Sequence, residues 1–375
     1  MRLLAFLVLS TVLFADDGQR LLRIDHHVAV KSAVPAIVGQ TTQIYVREVV
    51  VAGAALRGPV APDKVVLFIH GAGTPAEVAF DASFQDYSWM AFLAKAGFDV
   101  FSMDMTGYGR STRPAAMNDP CNLAKEQQLL FVPGLIPAPC PATYGQNMTT
   151  VASDWADIGA VVDHILTLRH VPQVNLVGWS LGGPRSGGYT AQNPAKVRSL
   201  VLLAPAYNRT GPTGPPQVVP ANGVVFNTQT HTEFLANWDR QIGCPNQYDP
   251  AAAEAVWKEM LDSDPVGATW GTGTRRAPQT TSFGWNGEVV KKVKTPVLAV
   301  VGAFDKQALP ARVRDLVEDL GSEAKVYAEL ACSSHNALWE RNHIALFQAS
   351  LEWFTKGSVN GTAKGNIALG SATSK

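Results

Sequence analysis

Short apolar runs recur along the chain, and most are followed by a segment in which apolar positions return every three or four residues. QIYVREVVV (43–51), KVVLFIH (64–70), FDVFSMDM (98–105), QVNLVGW (173–179), VRSLVLLAP (197–205), TPVLAVVGAFD (295–305) and AKVYAELACSSH (324–335) read as strands. SWMAFLAKAG (88–97) has helical spacing and stops at Gly97. Between 151 and 168, Val151, Trp155, Ile158, Val162, Ile165 and Leu168 mark one core-facing helix. ARVRDLVEDLG (311–321) and LFQASLEWF (346–354) complete the helical segments. Buried strands alternating with amphipathic helices predict an α/β fold, a mostly parallel central sheet flanked by helices on both faces.

The alternation breaks in two places. Residues 112–148 are irregular and rich in Pro and Asn. Residues 208–286 hold GPTGPP, scattered aromatics (Phe226, Phe234, Trp238, Trp270, Phe283, Trp285) and one clear helix around AAAEAVWKEML (251–261). An insertion between two halves of a sheet domain is expected to form a lid over one end of it. The expected organisation is therefore a core over 16–207 and 287–356, a lid or cap over 208–286, and a small, polar, flexible tail over 357–375.

The first residues, MRLLAFLVLSTVLFADD, carry one arginine and an apolar run from Leu3 to Phe14, shorter than the roughly 20 residues a membrane span needs. Residues 1–15 are expected to be a secretory signal, with no membrane span left in the mature chain. Four cysteines, an even number, agree with a secreted or periplasmic location. Cys121 and Cys140 flank the proline-rich LLFVPGLIPAPC and form one expected bridge; Cys244 and Cys332 remain as a second pair that no local feature fixes. Sequons stand at Asn147, Asn208 and Asn360.

Charge narrows the partners. Lys plus Arg and Asp plus Glu are both 31, so no basic excess favours nucleic acid or an anionic membrane surface. No cysteine pair has zinc-ligand spacing, and neither a glycine-rich phosphate loop nor a dinucleotide fingerprint is present, so no metal or cofactor is expected.

One stretch carries chemistry. LVGWSLGG (176–183) sets Ser180 between Gly178 and Gly182, after a strand and before a helix. Strand, G-x-S-x-G and helix together describe a sharp turn that exposes a serine at a helix N-terminus, where free N–H groups favour a developing anion. A serine hydroxyl is a weak nucleophile at neutral pH and needs a base. Of the eight histidines, His335 follows the last predicted strand in a small-residue loop, SSHNA. His26 and His27 precede the expected sheet, His164 and His170 lie on or just after a helix, His231 is in the insertion, and His343 falls in the last helical segment. The base needs a carboxylate to fix its tautomer, and Asp305 ends the penultimate strand. Asp315 and Asp319 sit in the next helix, and Glu329 is the spare; after VRSLVLL the residues APAYNRT contain no carboxylate.

Ser180, Asp305 and His335, in that chain order at three strand ends, make the sequence resemble the α/β-hydrolase superfamily over nearly all of residues 40–356, as a serine esterase or lipase-like member with a lid insertion. His70-Gly71-Ala72-Gly73 resembles the family's oxyanion loop, and that resemblance implies that the backbone N–H groups of Ala72 and Leu181 hold the oxyanion. DMTGYGRST (104–112) resembles the turn after the next strand, which implies structural roles for Asp104 and Arg110. Ester hydrolysis through an acyl-enzyme is the commonest chemistry on such a constellation, with a small-molecule ester bearing an apolar portion as substrate. Carbon–carbon bond hydrolysis, peptidase and thioesterase chemistry remain alternatives on the same three residues. A non-catalytic binding member of the fold stands outside them.

Overall fold

A computed structural model describes residues 20–55, 60–212, 223–280 and 284–370. The expected leader over 1–15 and Phe283 lie outside the described residues.

The chain opens on an antiparallel hairpin, β1 (Leu21–Lys31) with β2 (Thr41–Val51). Next come β3 (Val65–Ile69), β4 (Asp99–Met103), β5 (Val174–Trp179) and β6 (Val197–Leu203). The inserted β7 (Phe226–Thr230) and β8 (Thr274–Pro278) pair only with each other. β9 (Val297–Gly302), β10 (Lys325–Leu330) and β11 (Gly365–Leu369) finish the main sheet. Its nine strands run in the order β1-β2-β4-β3-β5-β6-β9-β10-β11, and all pairings from β4 to β11 are parallel.

The inner strands are apolar throughout because both faces are covered. Val66 and Phe68 of β3 enter one core while Val65, Leu67 and Ile69 enter the other. The helix Val151–Arg169 covers the second face with Ile158, Val161, Val162 and Ile165. Its Thr150 N-cap and Ser153 form a capping box that satisfies amides of the first turn. Leu168, expected on the core face, is exposed instead. The helices Trp89–Lys95 and His343–Lys356 pack on the opposite face, where Trp89 stacks on Phe347.

Two expectations at the sheet edges are corrected. His26 and His27 lie within β1, not before the sheet. The tail expected to be flexible over 357–375 is ordered to residue 370, and its GNIAL segment adds β11 in parallel to β10. The free edge of β10 offers unpaired backbone groups, and pairing with them outweighs the weak apolar pattern of the segment. Residues 112–148 contain only short helical turns around a small third core of Met117, Leu123, Phe131, Ile136 and Met148. No helix among the described residues is long and apolar enough to cross a membrane.

Candidate active site

The carboxyl ends of β5, β9 and β10 bring three loops together. Ser180 follows β5 directly with φ of +57°, a left-handed conformation that costs a non-glycine residue about 1–3 kcal/mol. The turn is held from both sides: the Ser180 amide donates to the Leu203 carbonyl at 2.9 Å, and its carbonyl accepts from Ala206 N. Room for the turn comes from its glycines. A Cβ on Gly178 would meet the Gly182 carbonyl, and one on Gly182 would overlap the Ile69 carbonyl. The helix Gly182–Gln192 then starts immediately behind the serine.

His335 lies in the loop after β10 and is 6% exposed, open enough to touch a substrate. Its Nδ1 is 2.9 Å from Asp305 Oδ2. An ionised carboxylate only accepts, so Nδ1 is the ring nitrogen that donates to it. The other Asp305 oxygen accepts from the Gln307 and Ala308 amides at 2.7 and 2.8 Å, which fixes the carboxylate plane. Trp179 donates from Nε1 to the His335 carbonyl at 3.0 Å, tying the histidine loop to the serine strand. Ser180 and His335 line one cleft of about 80 Å³, together with Ala72, Thr74, Trp179 and Trp339.

The loop after β3 supplies the wall beside the serine. His70 is fully buried, with Nδ1 donating to the Gly71 carbonyl at 2.7 Å and Nε2 accepting from the Met105 amide at 3.0 Å. Burial and the Arg185 charge hold this imidazole well below its usual range, so it is a neutral strut. Arg185 donates from Nη1 to the His70 and Gly71 carbonyls and from Nε to Asp154, at 2.9, 3.0 and 2.6 Å. The two carbonyls are thereby turned inward. A Cβ on Gly71 would sit 2.8 Å from the Ser180 Cβ, so only glycine lets this loop approach. Among the described residues neither the Ala72 nor the Leu181 amide has a protein acceptor, and both lie beside Ser180.

The remaining candidates fall elsewhere. Glu329 is engaged by Tyr327 and Arg314, and Asp315 and Asp319 pair with Arg209. Asp104 accepts from the Ala76 and Arg110 amides at 2.7 and 2.9 Å, and burial pushes its carboxyl up to about 6. It braces the turn. Cysteine partners are Cys121 with Cys140 and Cys244 with Cys332, at Cα separations of 5.2 and 5.8 Å.

Several residues of the site escape a reading of sequence. Gln229, Phe234, Asn237, Met260 and Arg275 line the cleft from the insertion, and Gln307 and Asn336 line it from the main domain. Glu340 is fully buried below the histidine loop, and burial raises its carboxyl. It accepts from Ser334 N at 2.7 Å, from Trp238 Nε1 at 2.8 Å and from Gln247 Nε2 at 3.0 Å. The last two belong to the insertion, so Glu340 and the Cys244–Cys332 bridge fasten that segment to the loop carrying His335. Arg185 and Asp154 did leave a signal: a charged residue in an otherwise small-residue helix, and an acid on a helix face that reads as core.

Residues 64–341 match the model of the alpha/beta hydrolase fold. The chain is similar to a bromoperoxidase from Bacillus anthracis at 14% identity and TM-score 0.54, covering 89% of this chain and 100% of that one. It is similar to an esterase from a Rhodococcus species at 15% identity and TM-score 0.53, covering 88% and 98%. A thermophilic esterase from Thermogutta terrifontis is similar at 14% identity and TM-score 0.52, again covering 88% and 98%. No curated protein sequence matches the chain. At these identities the structural likeness speaks for the fold.

Proposed function

The chain belongs to the alpha/beta hydrolase family, and we propose that it is a serine hydrolase that cleaves carboxylic esters through an acyl-enzyme. The observation that carries this reading is the His335–Asp305 hydrogen bond, which leaves Nε2 free in the cleft that Ser180 lines.

In this reading Ser180 Oγ attacks the ester carbonyl as His335 Nε2 takes its proton. The negative charge moves to the carbonyl oxygen, where the amides of Ala72 and Leu181 donate to it. The tetrahedral adduct collapses, and the imidazolium gives its proton to the departing alkoxide. Water then repeats the sequence on the acyl-serine, releasing the acid and restoring Ser180. Asp305 stays ionised and stabilises the imidazolium throughout. The insertion acts as a cap that closes the cleft over these steps, and the walls Trp179, Phe234, Met260 and Trp339 suit a short apolar part of the substrate. Two bridged cysteine pairs and the leader-like segment over 1–15 favour an exported protein.

The test is active-site labelling joined to a substrate panel. An alkyl fluorophosphonate should add to Ser180 alone, read by peptide mass, and abolish turnover of acyl esters supplied beside their amide and thioester counterparts. Labelling elsewhere with Ser180 unmodified, or amide cleavage faster than ester cleavage, would overturn the reading.

A further inference from the structure

β8 carries two consecutive arginines that face opposite ways. Arg276 points into the insertion and is fully engaged: Nε and Nη2 hold the two Asp264 oxygens at 2.9 and 2.7 Å, and Nη1 donates to the Met117 carbonyl. Arg275 points into the cleft that Ser180 and His335 line. Its Nε donates to Gln229 Oε1 at 2.7 Å, which fixes the plane of the guanidinium. Its terminal nitrogens have no partner among the described residues.

This absence is unusual within the molecule. Arg185 and Arg276 are buried and Arg113 is half-buried, and each has an aspartate, Asp154 for the first and Asp264 for the other two. Arg275 is given only a neutral amide oxygen. Among the described residues, those lining the cleft include no carboxylate. Glu233, the acid whose charge reaches Arg275, caps its own helix through the Thr230 amide and hydroxyl. The Arg275 guanidinium is half-buried with no counter-ion, and its burial brings it down to about 10. Such a site gains most from an anion that arrives from outside.

The position is specific. Gly73 has φ of +82°, and any Cβ there would overlap the Arg275 guanidinium, so the fork lies flat on the loop one residue beyond Ala72. The unpaired nitrogens therefore stand a few atoms from where a scissile carbonyl oxygen would sit. A planar fork with two free nitrogens matches a carboxylate in two parallel hydrogen bonds.

Resting on the esterase reading above, we propose that Arg275 anchors a free carboxylate on the substrate, so that the ester taken by this cleft is short and anionic, such as a half-ester of a small dicarboxylic acid. Gln229 is a positioning residue that aims the fork. The cleft is small, about 80 Å³, which suits a short substrate.

The full mature chain with both disulfides is used for the test. Ser180→Ala prevents turnover, and calorimetry at pH 7 compares two matched pairs. Monoethyl succinate against ethyl succinamate puts the charge on the acyl side, and acetoxyacetate against acetoxyacetamide puts it on the alcohol side. In at least one pair the carboxylate should bind at least tenfold more tightly than the amide. Adding Arg275→Gln should reduce that advantage below threefold, and Arg275→Lys, which keeps charge but loses the fork, should leave an intermediate value. If the glutamine variant does not unfold cooperatively, the lysine variant decides alone, and an unchanged carboxylate advantage overturns the assignment. So does the absence of preference in both pairs before any change at Arg275. Turnover separates the two readings. If the intact chain hydrolyses charged and neutral esters equally well, dependent on Ser180, then this inference fails and ester hydrolysis stands. Carboxylate-selective binding with no turnover of any ester retires ester hydrolysis and keeps the anion site. An equal loss on both esters in Arg275→Gln would make the residue a stabiliser of the oxyanion and overturn its role as an anchor.

Discussion

Ser180 stands at the end of a strand buried on both faces, and Asp305 and His335 in the loops after two others, whereas Gln229, Phe234, Met260 and Arg275 reach the same cleft from an insertion whose own sheet has two strands. On the first wall, position follows from strand register: β5, β6, β9 and β10 are hydrogen-bonded neighbours, so their carboxyl ends must converge. On the second wall, position depends on a few fastenings, chiefly Glu340 to Trp238 and Gln247 and the Cys244–Cys332 bridge. The first wall carries the groups suited to bond-breaking. The second carries the groups suited to choosing what is broken. On the proposed reading, chemistry belongs to the part of the fold least able to change, and selectivity to the part that can.

The largest effects should come from the first wall. Ser180→Ala is expected to lower turnover by about a millionfold and Asp305→Asn by about ten-thousandfold, with the unfolding midpoint close to that of the parent. Circular dichroism and ester kinetics check both. Activity retained in Asp305→Asn but lost in Glu329→Gln would remove the acid from the strand end and break the comparison.

The second wall is tested by its fastening. Paired alanines at Cys244 and Cys332 open a bridge that spans 88 residues, and those at Cys121 and Cys140 open one that spans 19. Chain entropy gives about 4.5 and about 3 kcal/mol respectively. The first pair should also cost about tenfold in turnover because Cys332 lies three residues from His335, whereas the second should cost less than twofold. Equal loss of turnover from the two changes would mean that the insertion is not held through the histidine loop.

A smaller effect sharpens the account of the first wall. Asp157 lies on the helix Val151–Arg169, and burial, then the Asp154 carboxylate, push it up to about 7. Because its folded pKa is raised, the folded chain keeps a proton that the unfolded chain loses from about pH 4 upward. The stability this group contributes is therefore full below about pH 4 and declines until about pH 7. Asp157→Asn should flatten that decline by about 2 kcal/mol between pH 5 and pH 8, measured by urea unfolding. A slope that is unchanged, or one that steepens, would place the proton elsewhere.

What the sequence reveals follows the same division. Inner strands are buried on both faces and therefore appear as unbroken apolar runs, so Ser180 at the end of one can be located by counting, whereas Asp305, expected to end β9, lies three residues past it in the following loop. The edge strands could not be seen this way. β1 mixes exposed and half-buried positions with two histidines in its middle and buries only Val28 and Val30, and β11 is exposed over most of its length. Their pairing comes from a neighbour's open edge, a property of the assembled sheet. Arg275 was invisible for a different reason. In TRRAP nothing distinguishes the arginine that meets Asp264 from the one that meets only Gln229, because the difference lies in residues far along the chain.

The bridge from Cys244 to Cys332 also has a topological meaning. Together with the chain between them it closes a covalent ring, and that ring contains Arg275 and Asp305. His335 hangs three residues outside it. A single peptide cleavage anywhere within the ring would open the polypeptide without releasing either fragment. Such damage need not separate Arg275 from Asp305, since both would remain on a molecule of unchanged mass but for one added water.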